Sequence, residues 1–140
     1  MGPKWLVLVV VPGLLLSLNA LTGCAFGDGT ICLDDSAGCV KSRLSALEVM
    51  RKDERNLWVE HKPTPREYAS GVRLFAYRAN KEKLSCTQLR KGIAETASAP
   101  MVLGPQSVAG VPAKRLGEII ALSRDVNAEL KATAKQRRCS

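Results

Sequence analysis

The residues best suited to chemistry in this chain are its five cysteines, at positions 24, 32, 39, 86 and 139. Structural zinc sites usually hold two ligands within two to four residues of each other, and no two of these cysteines are so close. The spacing does not fit haem attachment either, and His61 is the only histidine. We therefore expect neither a metal ion nor a cofactor.

The first cysteine follows a segment typical of protein export. An uncharged, apolar run extends from Trp5 to Leu18 behind the single charge of Lys4. Pro12 and Gly13 interrupt this run midway, which favours a cleaved export signal over a membrane-spanning helix. The alternatives are an ordinary signal peptide or an N-terminal anchor helix, either of which would leave Cys24 a plain thiol.

The residues around Cys24 carry a more specific signal. Leu21-Thr22-Gly23-Cys24 resembles the lipobox of bacterial lipoproteins, and this resemblance covers only the first 24 residues. It implies that residues 1–23 are removed and that Cys24 is joined to diacylglycerol and acylated at its new amino group, as anchoring needs two or more chains. In that family an Asp after the cysteine favours the inner membrane. Ala25 therefore implies the outer membrane, if the source has two membranes.

Four cysteines remain once Cys24 is assigned to the lipid, namely Cys32, Cys39, Cys86 and Cys139. An even number of cysteines in a chain bound for an oxidising compartment favours two disulfides. Unpaired thiols are the alternative. Four cysteines permit three connectivities, so the spacing alone does not select one.

Charge is unevenly distributed, with 21 Lys and Arg against 13 Asp and Glu and a formal net charge of +8. Residues 24–39 hold only acidic charges, so the basic excess lies in the rest of the chain. Such a field favours an anionic partner, although it also serves solubility. The candidate contacts are the densest basic group, Lys135, Arg137 and Arg138, whose charges also complement the dipole at a helix C-terminus.

Signals of other functions are weak. A single histidine between Glu60 and Lys62 is most simply a surface residue, and the glutamates that could act as acids fall in amphipathic helices, where Glu is ordinarily solvated. Those glutamates are Glu48, Glu54, Glu95 and Glu118. Aromatic residues are few, and we expect Trp58, Tyr68 and Phe75 in the core, which disfavours nucleic-acid binding.

The apolar pattern predicts helices throughout and no strand. Helix one covers about residues 40–60, with Val40, Leu44 and Leu47 on its inner face. A capping box from Thr64 to Glu67 starts helix two, which runs to Asn80 and contains Gly71 as a possible close crossing.

The C-terminal half predicts two more helices. A second capping box, Ser85 to Gln88, starts helix three, which stops before Pro100. Residues 100–111 are rich in Pro and Gly and predict a loop. Helix four follows Pro112 with small Ser123 among four inward apolar residues, Leu116, Ile119, Val126 and Leu130.

These elements predict an all-α fold, a disulfide-stapled antiparallel bundle of about four helices. The domain organisation is a signal peptide at 1–23, a flexible acidic tether at 24–38 and a helical domain at 39–140. In an up-and-down bundle all four cysteines meet at one end. That arrangement slightly favours pairing Cys39 with Cys86 and Cys32 with Cys139.

The sequence thus indicates a lipid-anchored lipoprotein on the periplasmic side of the cell envelope, held to the membrane by its N-terminal lipid. Its role is that of a binding or structural component rather than an enzyme. One alternative is an accessory lipoprotein of an envelope-spanning secretion or conjugation apparatus. Another is a cell-wall-active enzyme.

Overall fold

The computed structural model describes Gly2 and residues 28–104 and 107–139. Apart from Gly2, the predicted signal peptide lies outside these residues, and so does the predicted lipidation site Cys24. Helices make up the described chain, without any strand, so the all-α prediction is confirmed. The α-helices are α1 (Ala37–Lys52), α2 (Pro65–Ala69), α3 (Val72–Asn80), α4 (Cys86–Ala97), α5 (Ala99–Val102) and α6 (Ala113–Gln136). Two 3-10 helices, Asp28–Thr30 and Leu57–Glu60, precede α1 and α2. No helix within the described ranges has the length and apolarity needed to cross a membrane.

Local capping signals set several helix starts. Thr64 and Glu67 form the predicted capping box at α2, and Ser85 and Gln88 form the one at α4. Each box satisfies backbone N–H groups that a helix start otherwise leaves without partners. The sequence prediction for both starts is confirmed.

Helix one is shorter than predicted and ends at Lys52. The carboxylate of Asp53 accepts hydrogen bonds from the backbone N–H groups of Arg55, at 3.1 Å, and Leu57, at 2.6 Å. These bonds replace the helical pattern, as Asp side chains often do beyond a helix end. The chain then returns along the domain through the Leu57–Glu60 turn and α2.

The predicted helix two is interrupted at Gly71, which separates α2 from α3. Its φ of 79° is left-handed, a conformation that glycine adopts at little cost. A Cβ at this position would lie 2.9 Å from a methyl group of Ile119 on α6. Gly71 therefore marks a close crossing, as the sequence suggested, but it also ends a helix.

The structure does not confirm the predicted antiparallel order of the helices. Asn80 at the end of α3 bonds the carbonyl of Met50 near the end of α1, so these helices run in the same direction. Gly71, before α3, lies near Ile119 of α6, and Arg78, late in α3, binds Glu129, late in α6. The helices α3 and α6 therefore also run in the same direction. Only α4 opposes α6 among these long helices. The cause is the return of residues 53–71, which brings α3 back to the starting end.

The core confirms part of the predicted apolar pattern. Trp58, Tyr68, Ile119, Val126 and Leu130 are buried. Three residues predicted to face inward are instead exposed at the cleft between α1 and α3, and they are Val40, Leu44 and Phe75. The break at Gly71 directs the other side of α3 inward, which leaves Phe75 46% exposed.

Residues 28–38, assigned to the flexible tether by composition, pack against the helices where the structure describes them. Thr30 and Leu33 are buried, and Leu33 belongs to the core. A Cβ at Gly29 would collide with the backbone carbonyl of Ser42 on α1. The packed region therefore extends to Asp28, well before Cys39.

Candidate functional site

An arginine–glutamate pair lies at the centre of the domain. Arg73 of α3 is 3% exposed, and its Nε and Nη2 donate to the two carboxylate oxygens of Glu95 on α4, at 2.8 and 2.6 Å. Its Nη1 donates to the carbonyl of Trp58 at 2.7 Å. This two-point geometry is the strong form of an ion pair and ties three segments together.

Aromatic rings enclose the pair. Trp58 and Tyr77 meet edge to face with centroids 4.7 Å apart, and the Arg73 guanidinium lies 5.3 Å from the Trp58 ring. The hydroxyl of Tyr77 donates to Glu95 at 2.8 Å. Burial, followed by the charge of Glu95, raises the pKa of Tyr77. Burial acts to lower the pKa of Arg73, but the hydrogen bond and charge of Glu95 outweigh it and raise the pKa.

Glu95 therefore departs from its sequence interpretation as a solvated residue. Both of its oxygens accept hydrogen bonds from Arg73, and one also accepts from Tyr77. Through these bonds Glu95 links α4 to Arg73 and Tyr77 of α3. Glu48, by contrast, pairs with Arg51 and Lys52 on the surface of α1.

A polar network continues from this pair towards α6. Ser123 donates to the carbonyl of Thr96 at 2.6 Å, and Asn127 donates to the Thr96 hydroxyl at 2.8 Å. The hydroxyl of Tyr68 lies 3.4 Å from Ser123, and burial raises the pKa of Tyr68 to about 12. These bonds fix the α4–α6 contact.

An open groove of about 320 Å³ lies beside Glu95, between the 59–63 segment and α4. Val59, Pro63, Ala94 and Val102 supply apolar walls. The rim is charged: Lys91 binds Glu60 and is joined there by His61 and Lys62. Such a groove can hold an apolar side chain or small ligand. His61 is exposed, as expected, and lies 3.5 Å from Glu67.

All four described cysteines are paired, but not in the slightly favoured way. Cys32 is bonded to Cys39, and Cys86 is bonded to Cys139. The two bonds lie at opposite ends of α6 rather than at one end. Arg115, at the start of α6, contacts Asp35 beside the Cys32–Cys39 bond, whereas Cys139 lies just beyond the end of α6. The parallel course of α1, α3 and α6 causes this separation.

The first disulfide lies at the N-terminus of α1. The two sulfurs and a carboxylate oxygen of Asp34 lie within 4.8 Å of one another. This set resembles a ligand group by distance alone, but sulfurs joined in a disulfide are not the thiolates that bind metals. Arg43 donates from Nη1 to Cys39 Sγ at 3.2 Å.

The predicted anion-binding residues Lys135, Arg137 and Arg138 are exposed at the other end of α6, close to Cys139. Arg137 donates to the backbone carbonyl of Leu84, which ties it to the turn before α4. With 24 residues, α6 spans about 36 Å. The basic group is therefore remote from Asp28, the first residue of the described helical domain, and not beside it as the bundle prediction required.

The sequence did not reveal the Arg73–Glu95 pair, and its only local sign was the four-residue spacing of Arg73 and Tyr77 on one helix face. No family model matches the sequence, and no curated protein or solved structure matches it either.

Proposed function

We propose that this chain is an exported lipoprotein, anchored by lipid on Cys24, whose helical domain is a binding or structural component of the envelope. The observation that carries the proposal is the use of Cys32, Cys39, Cys86 and Cys139 in two disulfides. Disulfides persist mainly in extracytoplasmic, oxidising compartments. They also leave Cys24 as the fifth cysteine, available for the lipid that its lipobox implies.

The short distance between Cys24 and the packed domain supports a role close to the membrane. Three residues separate Cys24 from Asp28, and the four chain steps between the two reach at most about 14 Å. A lipid on Cys24 would therefore keep the Cys32–Cys39 end near the bilayer. The domain would therefore act close to the membrane surface rather than at the end of a long flexible linker.

The state of Glu95 supports a binding or structural role over a catalytic one. Two acidic residues line the groove: Glu60 is paired with Lys91, and the carboxylate of Glu95 accepts hydrogen bonds from Arg73 and Tyr77. General acid–base catalysis needs a group free to exchange a proton with a substrate. The groove and the exposed basic group near Cys139 are the surfaces we assign to binding.

Lipidation is tested by expressing the full chain in a bacterial host fed a labelled fatty acid. We expect the wild type to be labelled and Cys24→Ser to be unlabelled and unprocessed. The control is Cys32→Ser with Cys39→Ser, which removes two other cysteines and should keep the label. Equal labelling of Cys24→Ser and wild type would contradict the proposal.

The outer-membrane destination is tested separately through Ala25. In a host with two membranes, Ala25→Asp should move the labelled protein to the inner-membrane fraction, whereas Ala25→Ser should leave it in the outer. Identical fractionation of wild type and Ala25→Asp would contradict the assignment to the outer membrane without affecting lipidation.

The anionic partner is tested with the chain from residue 25 onward and vesicles containing phosphatidylglycerol as an anionic probe. Binding should be present at low salt and weaken steeply at high salt, because exposed charges are screened. Lys135→Gln with Arg138→Gln should weaken it more than Lys41→Gln with Lys114→Gln, which removes equal charge at the other end. No binding at low salt would reduce the charge to a solubility role.

A further inference from the structure

The groups around the Cys32–Cys39 disulfide favour its reaction with thiols, unlike those around a purely structural disulfide. Cys39 is buried, at 3% exposure, whereas Cys32 is partly exposed. The two cysteines are only 7 positions apart, and the loop between them is largely exposed. A reagent in solution therefore meets the Cys32 sulfur before the Cys39 sulfur.

Two features favour negative charge on the Cys39 sulfur. Ser36 caps α1 and accepts the backbone N–H of Cys39 at 3.3 Å, so Cys39 lies in the first turn of a 16-residue helix. Arg43, one turn later, donates from Nη1 to Cys39 Sγ at 3.2 Å. A helix N-terminus and an adjacent arginine are both settings that stabilise a cysteine thiolate.

Arg43 is held in place by the loop itself. Its Nη1 also donates to the carbonyls of Cys32 and Asp34, at 3.2 and 2.5 Å, and its Nη2 binds Asp35 at 3.1 Å. The Arg43 side chain is 14% exposed, so solvent screens it only partly. The guanidinium is therefore fixed beside the sulfur rather than merely near it.

Two carboxylates act in the opposite sense. An oxygen of Asp34 lies within 4.8 Å of both sulfurs, and Asp35 is bound to Arg43 and to Arg115. Nη1 of Arg43 lies 3.2 Å from Cys39 Sγ, which is within the 4.8 Å limit given for the Asp34 oxygen, and both aspartates are exposed to water. Coulomb interactions weaken with distance and with solvent exposure, so the arginine dominates.

We propose that Cys32–Cys39 is a thiol–disulfide exchange site, at which an extracytoplasmic dithiol attacks Cys32 and Cys39 is the leaving thiolate. This goes beyond the proposed function, because exchange at this bond does not require lipid on Cys24. The partner is a protein dithiol of the thiol–disulfide oxidoreductase class. Opening the bond would remove the cross-link that holds Cys32 of the 28–36 segment against the first turn of α1.

The exchange has two balanced steps. A thiolate of the partner forms a bond to Cys32 Sγ, and the Cys32–Cys39 bond breaks with its electron pair going to Cys39. The partner's second thiol loses its proton to solvent and attacks the partner sulfur of the mixed disulfide, so Cys32 leaves and takes up a proton. The partner ends as a disulfide, having given two electrons to the two cysteines. A leaving thiol of low pKa speeds the first step.

The site of attack is tested with glutathione as a monothiol probe on the full exported chain in detergent. After a quench with N-ethylmaleimide, peptide mapping should find glutathione on Cys32 and maleimide on Cys39. Cys32–Cys39 should open at least about tenfold faster than Cys86–Cys139. Glutathione on Cys39, or equal opening of the two bonds, would overturn the proposal.

The role of Arg43 is tested with Arg43→Gln, Arg43→Lys and the control Arg115→Gln, which loses a bond to Asp35 but none to sulfur. Arg43→Gln should slow opening about tenfold and raise the midpoint pH of Cys39 alkylation in the reduced chain. Arg43→Lys should restore much of both effects, and Arg115→Gln should change neither. Equal behaviour of Arg43→Gln and wild type, or of Arg43→Gln and Arg115→Gln, would refute the role of Arg43. If Arg43→Gln fails to fold, the comparison of Arg43→Lys with wild type and the glutathione map decide.

Discussion

The two ends of α6 are held to the domain in different ways. At its start, Arg115 binds the exposed carboxylate of Asp35 at 3.1 Å, beside a disulfide that spans only 7 positions. At its end, a disulfide that spans 53 positions joins Cys139 to the start of α4. The short bond orders one loop, whereas the long bond constrains α4, α5 and α6 together. We therefore expect the two disulfides to contribute unequally to the free energy of unfolding.

The largest effect should follow removal of the long bond. Cys86→Ser with Cys139→Ser should lower the free energy of unfolding by about 4 kcal/mol, because the open loop gains that much conformational entropy in the unfolded chain. Urea unfolding followed by circular dichroism measures it. A loss smaller than that of the short bond would reverse the comparison.

The Arg73–Glu95 ion pair is a non-covalent tie whose contribution to stability can be compared with those of the two disulfides. Arg73→Met should cost about 3 kcal/mol, because it leaves the Glu95 carboxylate, only 14% exposed, without its main partner. The surface pair offers a matched control, since Arg51→Met removes an exposed contact to Glu48 and should cost less than about 1 kcal/mol. Similar losses in the two variants would mean that the buried pair is not a structural tie.

Removal of the short bond should have a smaller effect. Cys32→Ser with Cys39→Ser should cost about 2 kcal/mol by the same loop-entropy relation. The same urea experiment compares it directly with the long bond. In the wild type, partial reduction should therefore leave a folded domain with Cys32 and Cys39 as thiols. Global unfolding on loss of this bond alone would contradict the local role.

The smallest effect concerns acid. Lys81, which donates a hydrogen bond to Glu129, holds the pKa of Glu129 below its ordinary value of 4.5, against a smaller opposing effect of burial. A lowered folded-state pKa means that the stabilisation is complete above about pH 4.5 and is lost as the pH falls through the folded value. Glu129→Gln should flatten this loss in melting curves recorded from pH 6 to 3. Asp34, whose pKa is lowered mainly by Ser36, is fully exposed, so Asp34→Asn should change the curve less. An unchanged acid profile in Glu129→Gln would contradict the contribution of the α3–α6 ion pair.

Local signals in the sequence predicted local structure well. The capping boxes at Thr64 and Ser85 depend on residues three positions apart, and both are present. The buried face of α6 follows from helical periodicity over many residues, and Ile119, Val126 and Leu130 are in the core. Such features need no knowledge of distant contacts.

The direction of the helices depended on a detail that periodicity does not carry. The Asp53 carboxylate ends α1 early, and the following residues return along the domain to Gly71. The sequence prediction did not include this returning segment, residues 53–71, and its presence makes α1 and α3 parallel instead of antiparallel. It also moves Cys39 and Cys86 to opposite ends, so the predicted pairing and the cysteine clustering failed together.

The sequence likewise did not indicate that the charged side chains of Arg73 and Glu95 would be buried. Arg73 and Glu95 are 22 positions apart, and each lies in an amphipathic helix where a charged residue is ordinary. Their pairing follows from the tertiary fold, which brings both side chains beside Trp58, whose carbonyl also accepts a hydrogen bond from Arg73. Spacing on one helix cannot predict a partner on another.

The most direct test of the account is one non-reducing mass map of the full chain, isolated from the envelope of an expressing bacterium. We expect an N-terminal peptide that begins at Cys24 with diacylglycerol attached. In the same digest, Cys32 should be linked to Cys39 and Cys86 to Cys139. An unmodified Cys24 still joined to residues 1–23, with free thiols at the other four cysteines, would contradict it.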